Sequence, residues 1–356
     1  MAARTWRVKK RGVSMREATR WGNWLGIWAL ALMLAGFTGV APTLAEHAVV
    51  DDPCIGEEGY KDSWLDHTHA YVTRKLCEPA VWFDDFFGSP RSMQEGRPSS
   101  FVRWRNAATW IEGQGLEYRT SFSANIRLPK IERRLRLIAA GEQGGDPTEG
   151  FVDSGFDLKP EFGRFAAGLR YDLFDQPRYK LSLGGGVRVR FPVDPYARVR
   201  FRYTHPMGNV SLLRLTQTGW WRKEDGFSET TQLDLERTFF ESTLLRWANS
   251  GTYGEITDGL DWVSLISLLH QLSAKTAISL DVGAWGITEP DFEVSNYRVG
   301  ARFRQNFYRK WLFYELEPWI SWPKDDLSND RNTTYAITFT LEFQFDTLPR
   351  QALKEG

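Results

Sequence analysis

Apolar and polar side chains alternate with a period of two over residues 101–346. In Tyr335–Phe345 every odd position is apolar and every even position is polar or small. Tyr179–Phe191 repeats this pattern, with lysine, serine and arginine on the opposite face. Successive side chains of a β-strand point to opposite faces, so this alternation predicts strands with one apolar and one polar face.

Turn-forming residues divide the region into 14 candidate strands, or 12 if the doubtful ones are merged or dropped. The break near Arg237–Phe239 lacks glycine and asparagine, but an unbroken strand over residues 227–250 would span about 80 Å, which is too long. The predicted strands cover residues 101–112, 115–128, 133–141, 162–174, 178–191, 195–206, 209–222, 227–238, 240–253, 258–273, 274–288, 295–308, 309–322 and 333–346.

The connections between the strands indicate how the sheet is arranged. Even-numbered links are short, whereas the long links, such as 141–161 and 324–332, are all odd-numbered. Short turns at one end and longer loops at the other are typical of a membrane β-barrel with both termini in the periplasm. Tryptophans near strand ends would form its interfacial girdles. They are Trp104, Trp110, Trp221, Trp247, Trp319 and Trp322. A soluble sandwich would instead turn large apolar residues inward from two sheets.

The first 45 residues predict export. Residues 1–22 carry seven basic residues and one acidic residue, and a 14-residue apolar run ends before small residues and Ala45. This is the pattern of a secretory signal peptide over residues 1–45, since a membrane anchor needs about 20 apolar residues. Met15 would give a signal of more ordinary length. Removing this segment from a chain with 45 basic and 45 acidic residues leaves a net charge of −6. That charge argues against nucleic-acid binding.

Residues 46–98 differ from the strand region and predict one or two short helices. The segment would lie in the periplasm or plug a barrel. Cys54 and Cys77 are the only cysteines, and an oxidising compartment favours a disulfide between them; two thiols or a metal pair are the alternatives. His67 and His69 are two residues apart and would face different ways on a helix, so no metal site is predicted.

These features resemble bacterial outer-membrane β-barrel proteins. The resemblance covers residues 101–346 and rests on the signal peptide, the amphipathic strands and the final aromatic strand ending Phe343-Gln-Phe345. It departs from that class in the tail that follows, residues 347–356. The block 304–323 also resembles uncharacterised, porin-like proteobacterial members. The resemblance implies a transmembrane barrel over residues 99–346, located in the outer membrane, with lipid and the barrel-assembly machinery as partners; oligomeric state is left open.

The polar strand faces would line the interior of such a barrel. We predict an arginine-rich wall from strands one to seven facing a more acidic wall, and passage of small anionic solutes. The predicted solute-contacting residues are Arg103, Arg105, Arg119, Arg188, Arg190, Arg198, Arg200, Arg202, Arg298, Arg302, Arg304, Glu315 and Glu317. The same face would include further arginines and acids, among them Arg134, Arg136, Arg170, Arg214, Asp234, Glu236, Asp281 and Glu342. Alternatively, these charges fill a closed barrel that serves as a scaffold for a periplasmic or surface partner.

Catalytic motifs do not support an enzyme, and no cofactor is predicted. GxSxG, Walker A and HExxH patterns do not occur in the sequence. Outer-membrane phospholipases place a serine two residues after their histidine, but Met207 stands there after His205. His270 has serines nearby on an ambiguous strand face. A lipid-modifying enzyme is therefore the less favoured alternative. Gly184-Gly185-Gly186 lies mid-strand and predicts a bend or a close backbone approach rather than a phosphate loop.

Overall fold

The computed structural model describes residues 82–84, 86–87, 100–127, 134–143, 165–176, 178–189, 193–240, 242–257, 259–324 and 330–346. The predicted signal peptide, the Cys54–Cys77 disulfide and the tail 347–356 lie outside these residues and stay predictions. Within the described part of the chain, no helix has the length and apolar character needed to cross a membrane.

Fourteen antiparallel strands form one closed barrel. Each strand pairs with its neighbours in sequence, and β1 pairs with β14. This confirms the predicted barrel and the higher of the two strand counts. The strands are β1 Phe101–Ile111, β2 Gly115–Arg127, β3 Leu135–Gln143, β4 Phe165–Asp175, β5 Tyr179–Arg188, β6 Asp194–Met207, β7 Ser211–Arg222, β8 Gly226–Phe240, β9 Thr243–Gly254, β10 Leu260–Ser273, β11 Thr276–Ile287, β12 Glu293–Asn306, β13 Leu312–Pro323 and β14 Thr334–Asp346.

The predicted break between the eighth and ninth strands is misplaced. Strand β8 continues to Phe240, and the turn occupies only residues 241–242. A bulge between Thr238 and Phe240 lets the strand absorb an extra residue before it turns. A short hairpin of this kind carries no strong glycine or asparagine signal in the sequence, which explains the error.

The two ends of the barrel differ in the length of their links. Even-numbered links have two to seven residues, whereas odd-numbered links range from three to 21 residues. The predicted segregation holds for the long links, although β1–β2 and β7–β8 are also joined by only three residues. We call the two ends the short-turn end and the loop end. In outer-membrane barrels these are the periplasmic and external ends, respectively.

The distribution of apolar and charged side chains is inverted relative to a soluble protein. Large apolar side chains cover the outside; Trp104 is 47% exposed and Tyr118 is 69% exposed. Charged side chains are buried inside, and Arg304 and Glu342 are both 0% exposed. An apolar outer surface around a charged interior is stable only where lipid surrounds the barrel. The chain is therefore a transmembrane barrel.

One predicted girdle tryptophan faces the interior instead. Trp319 is buried and packs with Ile111 and Ala336. It lies on the same face of β13 as Glu315 and Glu317, because the three residues are separated by even numbers of positions. The outward tryptophans Trp104, Trp110, Trp221 and Trp247 agree with a lipid-facing girdle.

The glycine triplet in β5 marks a close backbone approach, as predicted. A Cβ atom at Gly186 would lie 2.2 Å from the carbonyl oxygen of Ala167 and 2.5 Å from the Cα of Gly168, both in β4. A Cβ atom at Gly184 would instead meet its nearest atom at 3.5 Å. The close approach of β4 and β5 therefore requires glycine at positions 168 and 186, and not at position 184.

Candidate functional site: the charged barrel interior

The strand register places the predicted solute-contacting side chains on the inner face. Directly paired residues of neighbouring strands share a face, and Arg200, for example, lies between Ser182 of β5 and Thr218 of β7. Arg190 lies outside the described residues. The remaining predicted residues all have inward positions, and three groups of charged side chains stand out on the inner face.

The first group is a carboxylate network, which we define as Arg103, Arg105, Arg304, Glu315 and Glu342. Both oxygens of Glu342 accept hydrogen bonds from Arg304, at 2.8 and 3.0 Å. Arg103 and Arg105 approach the same carboxylate at 3.2 and 3.4 Å. Glu315 accepts hydrogen bonds from Arg105 at 3.2 Å and from Arg304 at 3.1 Å. The three guanidinium groups thus share two carboxylates inside the wall, which leaves one positive charge in excess within the network.

This network corrects the predicted division into a basic and an acidic wall. The arginines of β1 lie beside the acids of β13 and β14, because the barrel closes through the β1–β14 pair. On β12, Arg298 donates to Glu317 at 2.8 Å and its guanidinium lies 4.0 Å from the ring centroid of Trp319. Basic and acidic residues are therefore mixed on this side of the barrel.

The second group lies on β3–β5 and includes acids that the sequence reasoning missed. Asp172 forms ion pairs with Arg136 at 3.2 Å and with Arg170 at 3.1 Å. Lys180 donates to Asp175 at 2.6 Å. Asp172 follows Arg170 by two positions on one strand face, so the alternation itself could have identified it.

A related pairing occurs towards the loop end. Arg188 contacts Asp194, and it donates to Asp225 at 2.6 Å. Arg222 approaches Asp225 at 3.9 Å. Asp225 lies in the β7–β8 link, where the strand alternation gives no information about the direction of a side chain. The predicted inward residue Arg188 is therefore part of an ion-pair cluster.

The third group is a column of arginines on β6, which we call the basic ladder: Arg198, Arg200 and Arg202. Consecutive members are two residues apart, so they repeat about every 7 Å along the strand. These side chains are half-buried, whereas those of the carboxylate network are buried. The guanidinium of Arg198 lies 4.8 Å from the ring centroid of Trp220. Arg200 is close enough to Arg170 for the two charges to repel each other.

The strand neighbours of the basic ladder carry little negative charge. On β5, Gly184 and Ser182 pair with Arg198 and Arg200, and Lys180 pairs with Arg202. On β7 the paired residues are Trp220, Thr218 and Thr216. The same rows continue on β8 and β9 with neutral polar residues: Thr230, Gln232, Ser250 and Thr252. A positive column thus borders a strip of hydroxyl and amide groups.

The remaining predicted positions fall into place around these groups. Arg119 is half-buried and pairs with Ala107 on the inner face, and Arg302 is buried. Arg134, expected inside, precedes β3 and is exposed. Across the part of the chain that the structure describes, no group of three or more His, Cys, Asp or Glu is arranged to hold a metal ion.

Both histidines considered for catalysis face away from the interior. His205 is exposed, pairs with Leu213, and stacks on Tyr203 at a centroid distance of 6.2 Å. His270 pairs with Thr243, whose hydroxyl lies 2.8 Å from its Nδ1. Both residues lie near the short-turn end of the barrel. This placement gives no support to an active site in the lumen.

Comparisons with known proteins find similarity at the level of fold. No protein-family model and no curated protein matches the sequence. Among solved structures, the outer membrane channel DcaP of Acinetobacter baumannii has a TM-score of 0.42 at 8% identity, covering 69% of this chain and 96% of that one. OccK11 (OpdR) of Pseudomonas aeruginosa gives 0.39 at 9%, covering 70% and 96%.

The KdgM porin gives a TM-score of 0.37 at 6% identity, covering 69% of this chain and 99% of that one. At these values the likeness concerns the fold alone. The closed barrel, the outward apolar surface and the charged interior have the architecture of a transmembrane β-barrel of the outer-membrane type.

Proposed function

We propose that the barrel provides a passage for small anionic solutes across the outer membrane, guided by the basic ladder of Arg198, Arg200 and Arg202. The observation that carries this proposal is the row of three half-buried arginines on the inner face of β6, whose directly paired residues on β5 and β7 include no acid. A column of positive charge in a wet interior raises the local concentration of anions and lowers that of cations.

The chemistry of the ladder suits carboxylates and phosphates. A guanidinium group presents its N–H donors in a planar fork that matches two oxygens of such an anion. The guanidinium of Arg198 lies 4.8 Å from the ring centroid of Trp220, a cation–π contact that restricts its orientation. Steps of about 7 Å between ladder positions would let an anion pass from one arginine to the next without losing all of its contacts.

The test is the ion selectivity of the purified full-length barrel in a planar bilayer. We expect the reversal potential under a tenfold salt gradient to show anion preference. The triple variant Arg198→Gln/Arg200→Gln/Arg202→Gln should lose more than half of that potential, because glutamine keeps polarity and much of the side-chain length but removes the charge. Arg237→Gln is the matched control, since Arg237 is exposed on the outer face over Phe239.

Two results would contradict the proposal. The first is a wild-type channel that prefers cations. The second is a triple variant whose selectivity equals that of the wild type. Either result would mean that the basic ladder does not guide permeating ions. Heat-modifiable mobility in gel electrophoresis establishes for each variant that the barrel has folded, so that a loss of selectivity is not a loss of structure.

A closed, structural barrel is the second candidate. Support for it comes from the carboxylate network, whose five side chains are buried and ion-paired with one another. A folded barrel that conducts neither anions nor cations in any variant would support this candidate, and the search would then turn to a periplasmic or surface partner.

A further inference from the structure

A short aromatic segment lies against the inner wall at the short-turn end. We define the aromatic segment as Trp82, Phe83, Asp84, Phe86 and Phe87, of which the first four are helical. Phe83 is 1% exposed, and the three phenylalanines share one hydrophobic cluster with wall residues. Those wall residues are Leu244, Leu269, Ala277 and Phe313.

The wall residues of this cluster locate the segment along the barrel. Leu244 and Ala277 are the second residues of β9 and β11, and Phe313 is the second residue of β13. Each of these strands begins at a short turn, so the cluster lies at the short-turn end. Phe86 meets the ring of Phe313 edge-to-face, with centroids 5.8 Å apart. Contact with β9, β10, β11 and β13 means that the segment spans several neighbouring strands of the inner wall.

Charged wall residues bind the segment as well. Asp84 is 2% exposed and lies 2.8 Å from Arg246. Arg246 also contacts Glu236 at 2.8 Å, so Asp84 supplies a second carboxylate to an arginine of the wall. The guanidinium of Arg302 lies 4.7 Å from the ring centroid of Phe87.

The segment is attached to the wall through side chains. The amide of Phe87 donates to the carbonyl of Phe83 at 2.8 Å, so this hydrogen bond lies within the segment's own turn. Among the described residues, aromatic contacts and the Asp84–Arg246 ion pair hold the segment, while the strands hydrogen-bond to one another around the closed barrel. Such an attachment can be released without opening the barrel.

We propose that the aromatic segment is a plug that closes the short-turn end of the lumen and must leave for solutes to pass. The inference rests on the proposed passage. Asp84 sets the position of the plug through Arg246, and the phenylalanines exclude water around that ion pair. Release exposes Arg246 and Arg302, which would add positive charge to the periplasmic mouth of an anion pathway.

The first measurement follows docking without using conductance. Hydrogen exchange of the peptide that contains residues 82–87, in the full-length protein in lipid nanodiscs, reports whether the segment is bound. We expect slow exchange in the wild type. In Asp84→Asn the bound-to-released ratio should fall about tenfold or more, because the buried ion pair between the segment and Arg246 is lost. Phe83→Ala/Phe86→Ala should release the segment further, since both rings leave the cluster.

The second measurement is single-channel conductance of the same proteins. The released variants should spend more time in the conducting state than the wild type, in the same order as their exchange rates. Phe240→Ala is the matched control, because Phe240 lies at the same end but is 72% exposed on the outside. A synthetic peptide of residues 80–88 (AVWFDDFFG), added on the short-turn side, should reduce the conductance of Phe83→Ala/Phe86→Ala. The peptide AVWFNDFFG should reduce it less.

The possible results separate the plug from the passage. Rapid exchange of residues 82–87 in the wild type, or equal conductance in wild type and released variants, would overturn the plug while leaving the passage intact. Release shown by exchange together with no conductance from any folded variant would overturn the passage, and with it the gating role. Slow exchange and graded conductance would support both.

Discussion

Replacing Glu342 by glutamine should destabilise the barrel strongly, although the two side chains have nearly the same shape. Glu342 is fully buried and forms ion pairs with Arg103, Arg105 and Arg304. Glutamine offers one oxygen acceptor and no charge, which leaves three buried guanidinium groups beside the single carboxylate of Glu315. Removing one partner from a buried ion pair typically costs about 3–5 kcal/mol, equivalent to roughly a hundredfold to a several-thousandfold change in the unfolding equilibrium.

The change in the free energy of unfolding can be measured by unfolding the protein with guanidinium chloride in lipid vesicles. Tryptophan fluorescence and heat-modifiable mobility follow the unfolding. Glu229→Gln is the matched control, because Glu229 is exposed on the outer face and should cost less than about 1 kcal/mol. Adding Arg103→Gln to Glu342→Gln should recover part of the loss, since it removes one uncompensated charge. The reasoning would be refuted if Glu342→Gln were as stable as Glu229→Gln, or if the double variant were the sum of the single variants.

Two further substitutions test the packing of the wall by the same unfolding assay. Gly186→Ala should cost about 2 kcal/mol or more, because its Cβ would lie 2.2 Å from the carbonyl oxygen of Ala167; Gly184→Ala, with 3.5 Å to its nearest atom, should cost far less. Equal stability of the two glycine variants would contradict the close approach. Trp319→Ala should cost about 3–5 kcal/mol, because the buried ring also carries Arg298. Trp104→Ala, on the exposed face, should lower the free energy of unfolding clearly less. If Trp104→Ala were the more destabilising of the two, the inward position of Trp319 would be contradicted.

The barrel could be predicted from the sequence because strand alternation is a local property. Most of the 14 strands show their own two-residue period, although the strand that carries His270 does not, and the segregation of link lengths indicated the antiparallel order without any knowledge of pairing. The same alternation identified the inward side of Arg200 and Glu315. The prediction was wrong for Trp319, although the sequence contained the necessary signal. Trp319 lies two and four positions after Glu317 and Glu315, which were assigned to the interior, so it shares their strand face.

The pairing of charges could not be predicted, because it depends on closure and register. The sequence gives no indication that Arg105 of β1 lies beside Glu342 of β14, which are separated by most of the chain. Nor does it show that Asp225, in a link, turns towards Arg188. A count of arginines along early strands therefore suggested two opposed walls, whereas the folded barrel compensates most of them locally.

Local compensation changes what an arginine substitution means in this barrel. An arginine in the carboxylate network, such as Arg304, has its charge balanced within a few ångströms by Glu315 and Glu342, so its field in the lumen is small and its loss mainly affects folding. An arginine of the basic ladder, such as Arg200, pairs across β5 and β7 with the hydroxyl-bearing residues Ser182 and Thr218. We therefore expect substitutions in the carboxylate network to act mainly on stability and substitutions in the basic ladder to act on ion selectivity, so that selectivity follows the ladder rather than the total number of arginines that line the interior.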